Sequence, residues 1–192
     1  FHAFSHQFLR SNRLSFLFLS HVFYPFATCQ RKLLFSLEWE QNVLLGVKVT
    51  QLLVDAMKAK EWGRVIFVGT VGVDRPRNHS PGYYGAKASL HAIVRTLAMD
   101  LRGTGVTANM FNPGMIATAE VKEMLTNAAG KRSLSTDWES VESWASTEYF
   151  PNLTSRIANP EDIGRVVSFL ASEQAWYING ASIAVDGGSV DA

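Results

Sequence analysis

Residues 82 to 87 read GYYGAK, and Tyr83 and Lys87 stand four positions apart. On a helix, residues i and i+4 share one face, so this spacing sets a phenol beside an ammonium and rotates Tyr84 aside. A free phenol ionises near pH ~10, too high for proton transfer at neutrality, and a neighbouring ammonium favours the phenolate. The pair therefore suits general acid/base work on an oxygen atom. Taken alone, the spacing fits equally well a surface turn entering a helix with Lys87 solvated. Other polar groups stand in order around it. Thr70 ends the run RVIFVGT, thirteen residues before Tyr83 (83 − 70), and Asn42 lies twenty-eight before Thr70 (70 − 42). PGMIAT, Pro113 to Thr118, follows the run VTANMF.

These groups need elements to hold them. Asn42 to Lys60 reads as a helix, with Leu45, Val49, Leu52, Leu53 and Ala56 recurring at helical spacing. Gly63 is suited to the left-handed turn that stops it. RVIFVGT is a short β-branched run of the kind buried in a parallel sheet. A second helix is expected over Tyr83 to Leu101, with Ala86, Leu90, Ile93, Val94, Leu97 and Leu101 as its stripe. VTANMF is another strand. Asn159-Pro160-Glu161-Asp162 supplies an N-cap, a first-turn proline and two acids for a third helix. ASIAVDGG gives a last strand and turn. Helix alternating with strand predicts a parallel sheet wrapped by helices, with ligands at the carboxyl ends of the strands. Thr70, Pro113 and Gly114 fall at such ends.

The chain has 192 residues, 47% hydrophobic, with a formal charge of +1. That suits a globular domain with a core and offers no basic stripe for nucleic acid. Cys29 is the single cysteine, so no intramolecular disulfide forms, and a reducing, cytoplasmic setting is expected without a metal. The composition breaks near residue 38. Eight of the twelve phenylalanines precede Ser36, and no acid occurs before Glu38. LSFLFLSHVFYPFA has the look of a signal or transit segment, but His21 and Pro25 interrupt a run too short to span a bilayer. Residues 1–38 are therefore expected to be a poorly ordered leader, with residues 39–192 as the domain. No membrane partner is expected.

In order and register, Asn42, Thr70, Tyr83-x-x-x-Lys87, Pro113-Gly114-x-x-x-Thr118 and the ending YINGASIAVDGG resemble the short-chain dehydrogenase/reductase family, in its single-domain subclass. The resemblance covers roughly residues 40 to 192. It implies an α/β, Rossmann-like doubly wound parallel sheet and an NAD- or NADP-dependent oxidoreductase acting on a carbonyl or secondary alcohol. It also implies roles. Tyr83 is the acid/base, Lys87 lowers its pKa, Thr70 holds the substrate oxygen and Asn42 supports Lys87. Pro113, Gly114, Ile116 and Thr118 grip the nicotinamide, with Tyr83 and Lys87 at its ribose. Complete relatives are implied to be homo-oligomers built on the helices at 42 to 60 and 83 to 101, and residues 119–156 resemble a substrate lid. Two departures stand out. Thr70 occupies a position where the family usually has serine. The family's first strands and its glycine-rich pyrophosphate turn have no counterpart, since no glycine precedes Gly46. The fold is thus expected to be incomplete, and the isolated chain to bind no cofactor measurably. The alternative reading is an inactive remnant.

Overall fold

The computed structural model describes residues 16–19, 31–76 and 80–189. β1 (Phe16–Leu19) precedes α1 (Arg31–Trp39), a π-helical turn (Glu40–Leu44) and α2 (Leu45–Ala59). Then come β2 (Gly63–Val68), α3 (Pro81–Asp100) and β3 (Val106–Pro113). After these follow α4 (Ala119–Gly130), α5 (Trp138–Trp144), α6 (Pro160–Leu170) and β4 (Ser182–Val185). The strands form one sheet in the order β1-β2-β3-β4, each pair parallel. This is the expected α/β arrangement.

Parallel strands covered on both faces read as apolar runs, as β2 does over Val65–Val68, while β3 buries Asn109 and Asn112 by bonding them to Ile178 O and Ser182 Oγ. Val65, Phe67, Ala108 and Met110 pack with Val43 and Met57, and with Ala86, Leu90 and Val94 of α3. Ile66 and Phe111 pack against Ile163 and Leu170 of α6 on the other face. A third cluster, with Val121, Leu125, Val141 and Ile157, ties α4 to α5. The α6 start carries its expected cap: the Asn159 backbone N–H donates to Asp162 Oδ2 at 2.9 Å, completing a capping box.

Several expectations are corrected. α1 starts at Arg31, before the expected boundary at residue 38, and continues through the π-turn into α2. Phe16–Leu19, expected to stand apart, pairs in register with Arg64–Phe67, so β2 has partners on both sides. Residues 1–15 and 20–30 of the expected leader lie outside the described residues. Asn42 sits inside a helix, not at its start. The leucine stripe read as the core of the 42 to 60 helix faces outward: Leu52 is 80% exposed, while Val43, Gly46, Thr50 and Met57 are buried. Thr50 is buried without penalty because its hydroxyl donates to Gly46 O at 2.8 Å. The left-handed residue after α2 is Glu61 (φ 51°), and Gly63 already belongs to β2. The α3 stripe is as expected, with Ala86, Leu90, Val94 and Leu101 buried.

Candidate active site

Beyond Val68 the chain leaves β2 through Gly69, whose N–H donates to Phe111 O at 2.8 Å. Thr70 is extended and caps a short 3-10 turn, Val71–Val73, its Oγ1 accepting from Gly72 N at 3.1 Å. That bond fixes the hydroxyl, which acts on the Tyr83 phenol to lower its pKa. Val68 is in register with Phe111 of β3. Thr70 and Pro113, each two residues further on, therefore leave the sheet at the same end.

Tyr83 and Lys87 occupy the first turns of α3, which opens with Pro81 at its first position. Lys87 is only 3% exposed, and its Nζ donates to Val68 O at 2.8 Å. The same Nζ lies 5.9 Å from the centre of the Tyr83 ring. Burial pulls the ammonium down to about 8, against the opposing charge of Glu38. The phenol behaves contrary to expectation. Burial pushes Tyr83 up to about 12; the Thr70 hydrogen bond opposes this, and Tyr84 and Glu38 reinforce it. Desolvation of the phenolate thus outweighs any help from the ammonium in the free protein. Tyr84 packs edge-on to Tyr83 at 5.4 Å, a neighbour as expected.

Asn42 falls in the π-turn and is 7% exposed. Its Nδ2 donates to Glu38 O at 3.0 Å and to Glu38 Oε2 at 2.8 Å, while its buried Oδ1 has no protein partner. Its link to Lys87 therefore runs through Glu38, whose charge acts on that ammonium. Glu38 is the residue the sequence reading missed. The signal was present: it stands four before Asn42 and is the first acid in the chain.

Pro113 ends β3, and Gly114 N donates to Val185 O at 3.1 Å. A side chain at Gly114 would come within 2.9 Å of Asp186 Cα, so glycine is required for this close approach. Ile116 bridges to Ala158, and Thr118 caps α4, its Oγ1 accepting from Val121 N at 3.3 Å. A cavity of about 540 Å³ lies at the opposite end of the sheet, lined by Trp62, Arg64 and Thr107, away from all these residues. Among the described residues no cluster of metal-ligating side chains occurs.

The residues present fit the nicotinamide-ribose end of a dinucleotide. Lys87 carries three N–H donors, one of them directed at Val68 O, and the Tyr83 phenol lies beside it. No glycine precedes Gly46, so the residues before it hold no glycine-rich turn of the kind that brings backbone N–H groups up to a pyrophosphate.

Residues 35–190 match the family described as enoyl-(acyl carrier protein) reductase. The 3-oxoacyl-[acyl-carrier-protein] reductase MabA of Mycobacterium avium is 34% identical over 147 residues, 77% of this chain and 51% of that protein. The uncharacterized oxidoreductase YvaG of Bacillus subtilis is 33% identical over 158 residues, 80% of this chain and 59% of that protein. The chain thus spans about half the length of the curated relatives it matches. Among solved structures, L-sorbose reductase from Gluconobacter frateurii, complexed with NADPH and L-sorbose, superposes with a TM-score of 0.81 at 25% identity. That match covers 93% of this chain and 67% of the reductase. On the extent of the family match and of these likenesses, the chain belongs to the short-chain dehydrogenase/reductase family.

Proposed function

We propose that this chain carries the acid/base and nicotinamide half of an NAD(P)-dependent oxidoreductase acting on a small carbonyl or secondary alcohol. The observation that carries the reading is the buried Lys87 ammonium, 5.9 Å from the centre of the Tyr83 ring at the strand end that Thr70 caps. A reduced nicotinamide, when bound, supplies hydride to the carbonyl carbon. The Tyr83 phenol donates its proton to the carbonyl oxygen, and the Thr70 hydroxyl hydrogen-bonds that oxygen. Lys87 stabilises the phenolate left behind. With its phenol at about 12, Tyr83 holds its proton at neutral pH, which suits the reductive direction. Threonine in place of serine keeps the donor and restricts its rotamers.

Pro113, Gly114, Ile116 and Thr118 would hold the nicotinamide amide, and α4 and α5, within residues 119 to 156, would cover the substrate. No helix among the described residues is long and apolar enough to cross a membrane. The outward Leu45 and Leu52 of α2 suit contact with a second copy of the chain, and a reducing, cytoplasmic setting suits a lone cysteine.

The lack of any glycine before Gly46 favours a second reading, a non-catalytic relative. One assay separates the two. Carbonyl-dependent loss of nicotinamide absorbance at millimolar NADPH, abolished by Tyr83→Phe, supports the enzyme. Loss that is independent of the carbonyl, or unchanged in the variant, overturns it.

A further inference from the structure

We propose that Glu38 is the counter-charge of this site: its carboxylate, held by the Asn42 amide, keeps the buried Lys87 ammonium protonated, so Glu38 is a positioning residue acting through Lys87. Its consequence for proton transfer rests on the oxidoreductase reading; the electrostatic claim does not.

The geometry is specific. Both donor bonds of the Asn42 amide go to Glu38, one to its carbonyl and one to its carboxylate. A side-chain amide has only two N–H donors, so the carboxylate is fixed relative to the π-turn. Gly82 lets α1 pack close against α3. A Cβ added there would lie 3.1 Å from Phe35 Cα and 3.5 Å from Glu38 Cβ. Helix α1 therefore rests on the residue just before Tyr83, and Lys87 follows about one turn later.

The groups around Lys87 define what Glu38 can do. From α3 comes Tyr83, whose phenol burial keeps protonated at neutral pH, with Tyr84 edge-on to it. From the end of β2 comes the Val68 carbonyl, which accepts from Nζ. From α1 comes Glu38, the charge that favours the ammonium against burial. The next acid along, Glu40, is committed elsewhere, 2.7 Å from Lys48 on the exposed side. The interaction is mutual: burial lifts the Glu38 carboxyl above its ordinary range, against the Asn42 hydrogen bond and the Lys87 charge.

This arrangement makes a prediction that simple loss of packing would reverse. Glu38→Gln removes the negative charge and keeps the size and hydrogen-bonding capacity. If Glu38 is a counter-charge, the Lys87 midpoint falls further below about 8. If Glu38 merely holds the helices together, its loss lets water in, and the Lys87 midpoint climbs back towards the ordinary lysine range.

The experiment is a pH titration of the cofactor-free chain carrying lysine labelled at Cε, followed by NMR, with the Lys87 signal assigned through Lys87→Met. The expected result is a loss of about tenfold in Lys87 proton affinity in Glu38→Gln, with Glu38→Asp closer to wild type. An unchanged or raised midpoint overturns the proposal. Should Glu38→Gln not fold, the reciprocal titration decides: in Lys87→Met the Glu38 carboxyl midpoint must rise, and an unmoved one overturns the proposal equally. No cofactor or turnover enters either measurement. Failure of the oxidoreductase reading would appear as absent hydride transfer while these midpoints stay as expected.

Discussion

The Lys87 ammonium stands 5.9 Å from the centre of the Tyr83 ring while donating to the Val68 carbonyl, so one buried cation joins the end of β2 to the start of α3. The two groups are driven apart in proton affinity by one cause. Burial disfavours the charged form of each, taking the ammonium to about 8 and the phenol to about 12. Between those values both groups are neutral, and Lys87 can no longer support a phenolate.

For the proposed reaction, that ordering assigns the alkaline limb. The kcat/KM profile reports the groups of the free enzyme. Carbonyl reduction is expected to hold level at neutral pH and to decline above about 8, as Lys87 loses its proton, long before Tyr83 ionises near 12. Lys87→Arg, whose guanidinium stays charged, should move the limb upward by two units or more at reduced rate. A limb unmoved near 8 in that variant would assign it to another group.

Lys87 also lowers stability at neutral pH. Its folded value, about 8, lies below its ordinary 10.5, so the unfolded chain binds more protons between them and stability rises with pH across that window. Below about 8 the penalty is present in full. Lys87→Met is expected to stabilise the fold at pH 7 by roughly 1–3 kcal/mol, after loss of the Val68 hydrogen bond is counted. Urea titrations at several pH values check this. The difference should shrink from pH 8 to 10.5, and one that grows would contradict the linkage.

Gly69 is a second sensitive point. A Cβ there would lie 1.9 Å from Asn112 Oδ1 and 2.6 Å from Met110 Cε. Asn112 cannot easily move, because its Nδ2 donates to Ser182 Oγ at 2.7 Å. Gly69→Ala should destabilise the chain by about 1–3 kcal/mol and displace Thr70. Adding Asn112→Ala should recover part of that loss, giving a non-additive double-mutant cycle. Strict additivity in urea melts would show that the clash is not with Asn112.

Strand β2 and helix α3 were legible because burial on both faces leaves an apolar run in β2, and because the α3 stripe is its only long one, whereas β1 was hidden in the phenylalanine-rich segment. Helix α2 misled because it has two apolar faces. Leu45, Leu52 and Leu53 form the more hydrophobic one, yet the core takes Val43, Gly46, Thr50 and Met57, with Thr50 satisfied by its own backbone. Glu38 was hidden by composition. It stands at the end of a phenylalanine-rich segment, and only the π-turn and the close approach at Gly82 bring it to the site. The phenol pKa was misjudged for a physical reason: spacing predicts a neighbouring cation but says nothing of burial.

The last prediction concerns cofactor affinity. The residues that fit a dinucleotide are those of the nicotinamide-ribose end: Tyr83, Lys87 and the turn from Pro113 to Thr118. A pyrophosphate is ordinarily seated on backbone N–H groups at a helix N-terminus reached through a glycine-rich turn. No glycine precedes Gly46. Loss of two or so charge-assisted hydrogen bonds, each worth roughly 1.5–3 kcal/mol, weakens binding by about 10²- to 10⁴-fold. The 192-residue chain should therefore show no saturable change in NADPH or NADH fluorescence at micromolar concentrations. At millimolar concentrations, reduced nicotinamide mononucleotide should bind within about tenfold of NADPH, because the adenosine half adds little. The 2′-phosphate should make no difference, leaving NADPH and NADH equal. Micromolar saturation by NADPH with none by the mononucleotide would mean that residues 1–30 build an adenosine and pyrophosphate seat without glycine.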